Sequence, residues 1–326
     1  MRGDDPWTTS DPLGEALHFL RMSGTFYCRS ELTAPWGLRL SPEPGSMWFH
    51  VVNTGRCWLD VDGHEPRQLQ PGDFALVPHG EGHLLLSEPG SPAAPVEQLP
   101  YDYASDRYAI LRHGGGGAPT GIVCGTVRFG HPAARDLVAA LPRTIVVDGA
   151  PDSPTPESEW MYSTLRLIAA EGRHLRPGGE AVITRLSDIL VIQAIRAWIA
   201  REGDRSGWLA ALRDPRIGHA LALVHRDPAR PWSVASLARE TAMSRSAFAA
   251  RFTELVGEPV MRYVTRWRMQ VALDLLRHED VAVTQLAGRL GYESEAAFSR
   301  AFKRTLGVAP GAIRRSPELP VYAAIT

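Results

Sequence analysis

Two segments near the carboxyl end repeat one another at a separation of about fifty residues, which leaves that region little structural freedom. The first runs from Leu237-Ala238-Arg239-Glu240 through Ser244-Arg245-Ser246-Ala247-Phe248 to Phe252, followed by Gly257 and Pro259. The second runs from Leu286-Ala287-Gly288-Arg289 through Ser294-Glu295-Ala296-Ala297-Phe298 to Phe302, followed by Gly307 and Pro310. In each, a short Leu-Ala helix stops at a turn, a serine starts a second helix, and two phenylalanines follow four residues apart. Ser244 and Ser294 are natural N-caps, because a hydroxyl there accepts from the orphan amides of the next turn. The Phe248–Phe252 and Phe298–Phe302 pairs share one helical face and predict burial against the preceding helix. Gly257 and Gly307 suit a helix stop. Each copy is a helix-turn-helix, and two copies are too few for a solenoid.

Taking the phenylalanines as inward identifies the outward face of each second helix. In the first copy that face is Ser246, Ala249, Ala250 and Thr253, with Arg245 at the helix start. In the second it is Ala296, Ser299, Arg300 and Lys303, with Glu295 at the helix start and Arg304 beside the face as further candidate contacts. An arginine there can donate two hydrogen bonds to guanine, and small residues can touch a thymine methyl. Arg245, Arg251, Arg304, Arg314 and Arg315 are placed for phosphates, or for a solvated surface. The charge follows the same division. Residues 1–214 hold 19 basic and 26 acidic residues, whereas 215–316 hold 16 basic and 9 acidic. The total of −1 conceals an acidic body joined to a basic module of net +7, the balance of a polyanion binder. An ordinary helical bundle does not account for repeat and charge together.

The segment from Gly291-Tyr292-Glu293-Ser294 through Phe298-Ser299-Arg300-Ala301-Phe302-Lys303-Arg304 to Gly307-Val308-Ala309-Pro310 resembles the signature of the AraC/XylS family of bacterial transcription regulators. The resemblance covers 215–316. It implies a seven-helix domain in which Val260 to Leu276 forms a long connecting helix, with Tyr263, Trp267, Val271 and Leu275 toward the core. It implies promoter binding through two successive major grooves. The family often has arginine at the position of Ala250, so the first reading helix is expected to contact fewer base edges than the second.

The amino-terminal part predicts β structure. Trp48–Val52 and Cys57–Val61 are strand-like runs separated by Asn53-Thr54-Gly55, Phe74–Val77 follows the turn Pro71-Gly72-Asp73, and Ile122–Phe129 is another apolar run. Residues 1–34 are weakly patterned, and Ser87–Pro100, with four prolines, reads as a loop. Gly72, Pro78, Gly80 and His83 are spaced as in the second cupin motif, and 49–63 resembles the strand pair before it. The resemblance implies a small cupin-like β-barrel. Catalytic cupins bring a second histidine where this chain has Trp48, so their metal set is incomplete. His50, His83 and Cys124 are nonetheless a candidate His2Cys ligand group for zinc or another divalent metal. The alternative is a pair of histidines hydrogen-bonded in the wall. Trp48, His50, Trp58 and His83 are the candidate lining of an effector pocket, although an aromatic in a barrel is more often core.

The expected architecture is α+β and multidomain: a cupin-like effector domain over 1–150, a helical linker over 151–214, an all-α DNA-binding domain over 215–316, and a tail over 317–326. In the linker, Glu157–Glu171 and Glu180–Arg201 predict helices. The second carries Ile183, Leu186, Ile189, Leu190, Ile195, Trp198 and Ile199 on a wide apolar face, for burial within the subunit or for a homodimer. Three cysteines without a C-x-x-C, no leader and no membrane-length apolar run predict a cytoplasmic protein. His113-Gly114-Gly115-Gly116-Gly117 resembles an esterase oxyanion loop, but no G-x-S-x-G supplies a nucleophile, and no H-E-x-x-H or P-loop is present. No enzyme is therefore expected, a cupin-type metalloenzyme fused to a DNA-binding domain being the alternative. An architectural DNA-binding protein would not need the acidic barrel. The expected partners are duplex promoter DNA, a small-molecule effector, RNA polymerase and a second copy of the chain.

Overall fold

The computed structural model describes residues 22–129, 137–149, 156–173, 177–202 and 208–316. One compact unit comprises Met22–Phe129 with Leu141–Glu202, and a second contains the helical segment 208–316.

The first unit is built on two sheets. The larger has seven strands. It consists of β1 (Met22–Thr33), β3 (Ser46–Thr54), β6 (Phe74–Val77), β9 (Tyr101–Ser105), β10 (Tyr108–Gly114), β11 (Pro119–Phe129) and β12 (Ile145–Val147), in the order β12-β6-β3-β11-β1-β10-β9. The smaller has five: β2 (Gly37–Leu40), β4 (Cys57–Asp60), β5 (Arg67–Leu69), β7 (His83–Leu86) and β8 (Ala94–Pro95), in the order β5-β4-β7-β2-β8. Among the described residues the strands form these two sheets and no closed ring. Side chains alternate along each strand, so each sheet has an inner and an outer face. Cys28, Leu32, Val52, Ala75, Val77, Leu111, Ile122 and Cys124 of the large sheet meet Leu38, Leu40, Cys57, Leu59, Leu69 and Leu85 of the small one. The opposite face of the large sheet carries Tyr27, Phe49 and Phe74, each fully buried. Phe49 stacks on Phe74 at 6.1 Å, and Gly125 on β11 lacks the Cβ that its ring would strike.

The strand-like runs correspond to β3, β4, β6 and β11, with Val61 lying just beyond the end of β4. Two expectations are corrected. Part of the weakly patterned stretch 1–34 forms β1, which pairs with β10 and β11 near the middle of the large sheet. Its inner positions are Cys28, Ser30 and Leu32, and its outer ones include Arg29 and Glu31, so its apolar alternation is faint. Within the proline-rich stretch 87–100, β8 pairs with β2 and Val96–Gln98 forms a single 3-10 turn.

Two helices complete this unit, α1 (Pro156–Arg173) and α2 (Gly179–Glu202). They pack on one another, and α2 also meets β12. Ser105 on β9 donates to Glu180 of α2 at 2.7 Å. Ile183, Leu190, Ile195 and Ile199 are buried, whereas Val182 and Ile189 remain exposed. Most of the wide apolar face of α2 is thus used within the subunit. No helix among the described residues is long and apolar enough to cross a membrane.

In the second unit, α3 (Trp208–Arg213) precedes seven helices over 215–316, the number the resemblance implied. These are α4 (Pro215–Arg226), α5 (Val234–Glu240), α6 (Arg245–Val256), α7 (Val260–His278), α8 (Val283–Arg289), α9 (Glu295–Leu306) and α10 (Pro310–Arg315). Helices α5–α6 and α8–α9 are the two helix-turn-helix motifs. Ser244 and Ser294 cap α6 and α9, accepting from the amides of Ala247 and Ala297. Gly257 and Gly307 end them at φ of 82° and 78°, a conformation that costs a glycine little. Phe248 packs on Phe252, and Phe298 on Phe302, and all four are buried. The long helix α7 serves both motifs. Its first half offers Tyr263 to Phe252 and Trp267 to His225, whose Nε2 lies 2.6 Å from the Tyr263 hydroxyl. Its second half puts Met269, Ala272, Leu273 and Leu276 into the core around Phe298 and Phe302, with Val271 and Leu275 half-buried against it.

Candidate nucleic-acid interface and effector site

The buried phenylalanines fix which faces of α6 and α9 are left for a partner. On α6, Arg245, Ser246, Ala250 and Thr253 are exposed and Ala249 is half-exposed. The Thr253 hydroxyl donates to the Ala249 carbonyl, which leaves this face small and short. On α9, Glu295, Ala296, Arg300, Lys303 and Arg304 are exposed, with Ser299 half-exposed. Among the described residues Arg300, Lys303 and Arg304 form no ion pair, so the cationic face of α9 is uncompensated. Glu295, in the first turn of α9, accepts from the Thr284 hydroxyl of α8. That bond ties one carboxylate oxygen to the motif's own scaffold.

Arg251, expected at a phosphate or on a solvated surface, forms two ion pairs. Its Nε donates to Asp214 at 3.1 Å and its Nη1 to Glu254 at 3.1 Å. Asp214 also caps α4, accepting from the amides of Arg216 and Ile217. Despite burial, these two bonds and then Arg251 leave the Asp214 carboxyl below its ordinary range. Helix α6 therefore has its mid-helix arginine in ion pairs within the domain. Arg314 and Arg315, at the end of α10, are exposed.

In the sheet unit the structure brings together three of the four candidate pocket residues. His50 on β3 and His83 on β7 reach toward each other from opposite sheets, Nε2 to Nε2 at 2.7 Å. Both are buried, and burial drives both basicities down; His50 falls well below its ordinary value, with a further push from His83, and His83 falls to about 3. Two neutral imidazoles sharing one proton satisfy this geometry, with one ring donating and the other accepting. Trp48 also turns inward, its ring 6.1 Å from His83 in an edge contact. Trp58 does not: Cys57 and Leu59 of β4 occupy the core, so Trp58 lies on the other face of its strand.

The metal candidate fares differently from the histidine pair. Cys124 is the register partner of His50 across β3 and β11, and of Cys28 across β1 and β11. Among the described residues, however, no three His, Cys, Asp or Glu side chains are placed to hold a metal ion. Tetrahedral ligands at about 2 Å from zinc stand more than 3 Å from one another, so the 2.7 Å separation is that of a hydrogen bond. Burial, followed by Cys28 and Cys57, pushes the Cys124 thiol well up, opposing the thiolate that zinc requires. The proposed His2Cys set is not assembled.

Nor is the interior roomy. The space beside Trp48, Cys28, Tyr101 and Cys124 measures about 40 Å³. A cleft of about 850 Å³ lies instead between α1 and the large sheet, lined by Arg29, Glu31, Val51, Asn53, Ile122, Tyr162, Leu165, Arg166 and Leu167 among others. Ligand sites for small molecules run from about 300 to 1,000 Å³. The cleft was invisible in the sequence because it joins residues of β1, β3 and β11 to a helix that lies from about forty to more than a hundred residues further along the chain. Arg29 at its edge donates to Glu31 at 2.6 Å, and Arg166 lies 5.9 Å from the centre of the Tyr162 ring.

Comparison with known proteins agrees with this division. The cupin family model matches residues 11–200, and a helix-turn-helix domain model matches 237–316. An AraC-like transcription regulator of Streptomyces lividans is 35% identical over 95% of this chain and 100% of its own length. The transcriptional regulator AlkR of Acinetobacter baylyi is 28% identical over 92% of this chain and 97% of its own. The DNA-binding domain of AdpA, solved with a target DNA, is 31% identical, covering 31% of this chain and 96% of that one, with a TM-score of 0.30. The protein is a DNA-binding transcriptional regulator with an amino-terminal cupin domain and a carboxyl-terminal helix-turn-helix domain. It belongs to the AraC-like family.

Proposed function

We propose that this regulator reads a promoter with two unequal helices. Helix α9 enters one major groove and supplies most of the base discrimination through Arg300, with Ser299 and Ala296 beside it. Lys303 and Arg304 hold the flanking phosphates. Helix α6 enters the next groove and fits it by shape, through Ser246, Ala249, Ala250 and Thr253, with Arg245 at a phosphate. The observation that carries this reading is the difference in cation pairing: among the described residues Arg300, Lys303 and Arg304 form no ion pair, whereas Arg251 is held by Asp214 and Glu254. Selection of bound fragments from random duplexes, followed by anisotropy titrations at several salt concentrations, tests it. A selected site should bind at least about a thousandfold more tightly than random DNA at physiological salt; equal affinities refute specific recognition.

A small-molecule effector controls this binding from the cleft between α1 and the large sheet, and the contrast of about 850 Å³ against about 40 Å³ supports that location over the interior. Its walls suit a largely apolar compound with one polar group directed at the Arg29–Glu31 pair. It acts only if it binds the two arrangements of the regulator unequally. A compound that changes DNA affinity should lose its effect in Ala170→Trp, which fills the cleft, and keep it in Trp48→Ala; the reverse pattern returns the site to the interior. A homodimer formed through the exposed Val182 and Ile189 of α2 completes the reading.

A further inference from the structure

The junction between the two helix-turn-helix motifs is tied by one side chain. Arg268, in the middle of α7, donates from Nε to the Pro228 carbonyl at 2.7 Å and from Nη2 to the Arg230 carbonyl at 2.8 Å. Both carbonyls lie in the loop between α4 and α5, on the side of the first motif. That loop is itself secured. The Trp232 indole donates to the Asp227 carbonyl at 2.8 Å, and the Arg230 amide donates to the Asp227 carboxylate at 3.1 Å. The Arg230 guanidinium lies 4.3 Å from the centre of the Trp232 ring and pairs with Glu240 of α5 at 2.5 Å.

The second motif meets the same arginine from the other side. The Tyr292 ring lies 5.8 Å from the Arg268 guanidinium and sets its edge against Phe298 of α9 at 5.6 Å. Next to it, Gly291 holds a φ of +74°, and a Cβ there would be driven into the Ala229 carbonyl of the first-motif loop. The turn of the second motif thus rests directly on the loop of the first, and Arg268 bonds one while flanking the other. Helix α7 alone would join the motifs along a single line. The clasp adds a second attachment away from its axis, and two attachments suppress hinging that one permits.

We infer that Arg268 and Gly291 are positioning residues that hold α6 and α9 at one fixed separation and angle, so that the regulator accepts only sites whose two half-contacts have a single spacing. This rests on the two-groove reading proposed above. One inserted base pair moves the second half-contact by about 3.4 Å along the duplex and about 35° around it. A rigid pair of helices cannot follow that displacement.

The test uses the full chain and a duplex obtained by selection, with one base pair inserted between the two footprinted half-contacts. Wild type should lose more than about tenfold in affinity on insertion. Arg268→Ala and Gly291→Ala should bind the uninterrupted site more weakly, yet lose less than about threefold on insertion. A residue that served only folding would weaken both duplexes equally and leave their ratio unchanged, and that result overturns the inference. If wild type itself is indifferent to the insertion, the two-groove reading fails and the clasp with it. Should Arg268→Ala not fold, Arg268→Lys, which exchanges the planar fork for a single ammonium, is compared in the same way. If neither is folded by circular dichroism, Arg268 is a folding residue and the inference is overturned.

Discussion

Replacing both His50 and His83 by leucine should flatten the acid response of the sheet unit. In the folded state the two rings exchange a 2.7 Å hydrogen bond in the core, and burial keeps both neutral, His83 down to about 3. Unfolding releases each to the ordinary value of 6.5. Below that value the unfolded chain binds protons that the folded chain refuses, so stability falls as pH falls. Between about pH 7 and pH 5 the difference amounts to about 2 kcal/mol per histidine, or about 4 kcal/mol for the pair. Asp188 works the other way. Burial pushes it up to about 6, so it takes up a proton in the folded state as the pH falls through that value. Partial exposure and the Arg185 charge limit its contribution to about 1 kcal/mol.

The net expectation for wild type is a loss of about 3 kcal/mol over this window. The double variant, which keeps Asp188, should lose none, and comparing it with wild type at each pH cancels the contribution of Asp188. Removing both partners together avoids leaving one imidazole unpaired in the core. Urea titrations read by hydrogen-exchange mass spectrometry on β3 and β7 peptides report the sheet unit separately from the helical one. A double variant whose stability declines with acid as steeply as wild type would refute the argument that these rings stay neutral.

Two further outcomes follow from the exposed faces. Arg300→Ala should cost about 1–3 kcal/mol on a selected duplex and relax the preference at one base pair, measured by competition among single-base variants of that duplex; unchanged affinity and preference would remove Arg300 from the reading face. Val182→Glu with Ile189→Glu should convert a dimer to a monomer in sedimentation velocity, and a wild-type monomer at micromolar concentration would exclude α2 as the contact.

The helical half was the more legible because its information is local. A serine cap, a phenylalanine pair at helical spacing and a stopping glycine each act within a few residues, and their repetition removed the ambiguity that one copy would have left. The sheet half depends on contacts that no short window contains. β1 was obscured because two of its inner positions are Cys28 and Ser30 and its outer face carries the ion-paired Arg29 and Glu31. Trp58 was assigned to the wrong face because a strand's two sides differ by one residue, and only the neighbours of Cys57 and Leu59 decide which side is core. His50 and His83 were paired correctly, but whether they meet over a metal or over a proton depends on a few tenths of an ångström. The clasp at Arg268 was missed for the same reason. Gly291-Tyr292 was visible as a turn, but the carbonyls it rests beside lie some sixty residues earlier.

On the two-groove reading proposed above, the inequality of the two helices would give the clasp a thermodynamic role. A helix whose outward face is Ser246, Ala249, Ala250 and Thr253 gains little from a groove by itself, since those four side chains offer no bidentate donor and its mid-helix arginine is engaged elsewhere. If α6 moved freely relative to α9, ordering it on the duplex would cost more than those few contacts return. Fixed to α9 beforehand, the same face is delivered in register once Arg300 has found its base, and even weak contacts then add to specificity. Ala250 in place of an arginine is therefore compatible with two-groove reading only in a domain whose halves are already locked. The spacing preference on inserted duplexes should accordingly depend more on Arg268 than on any side chain of α6.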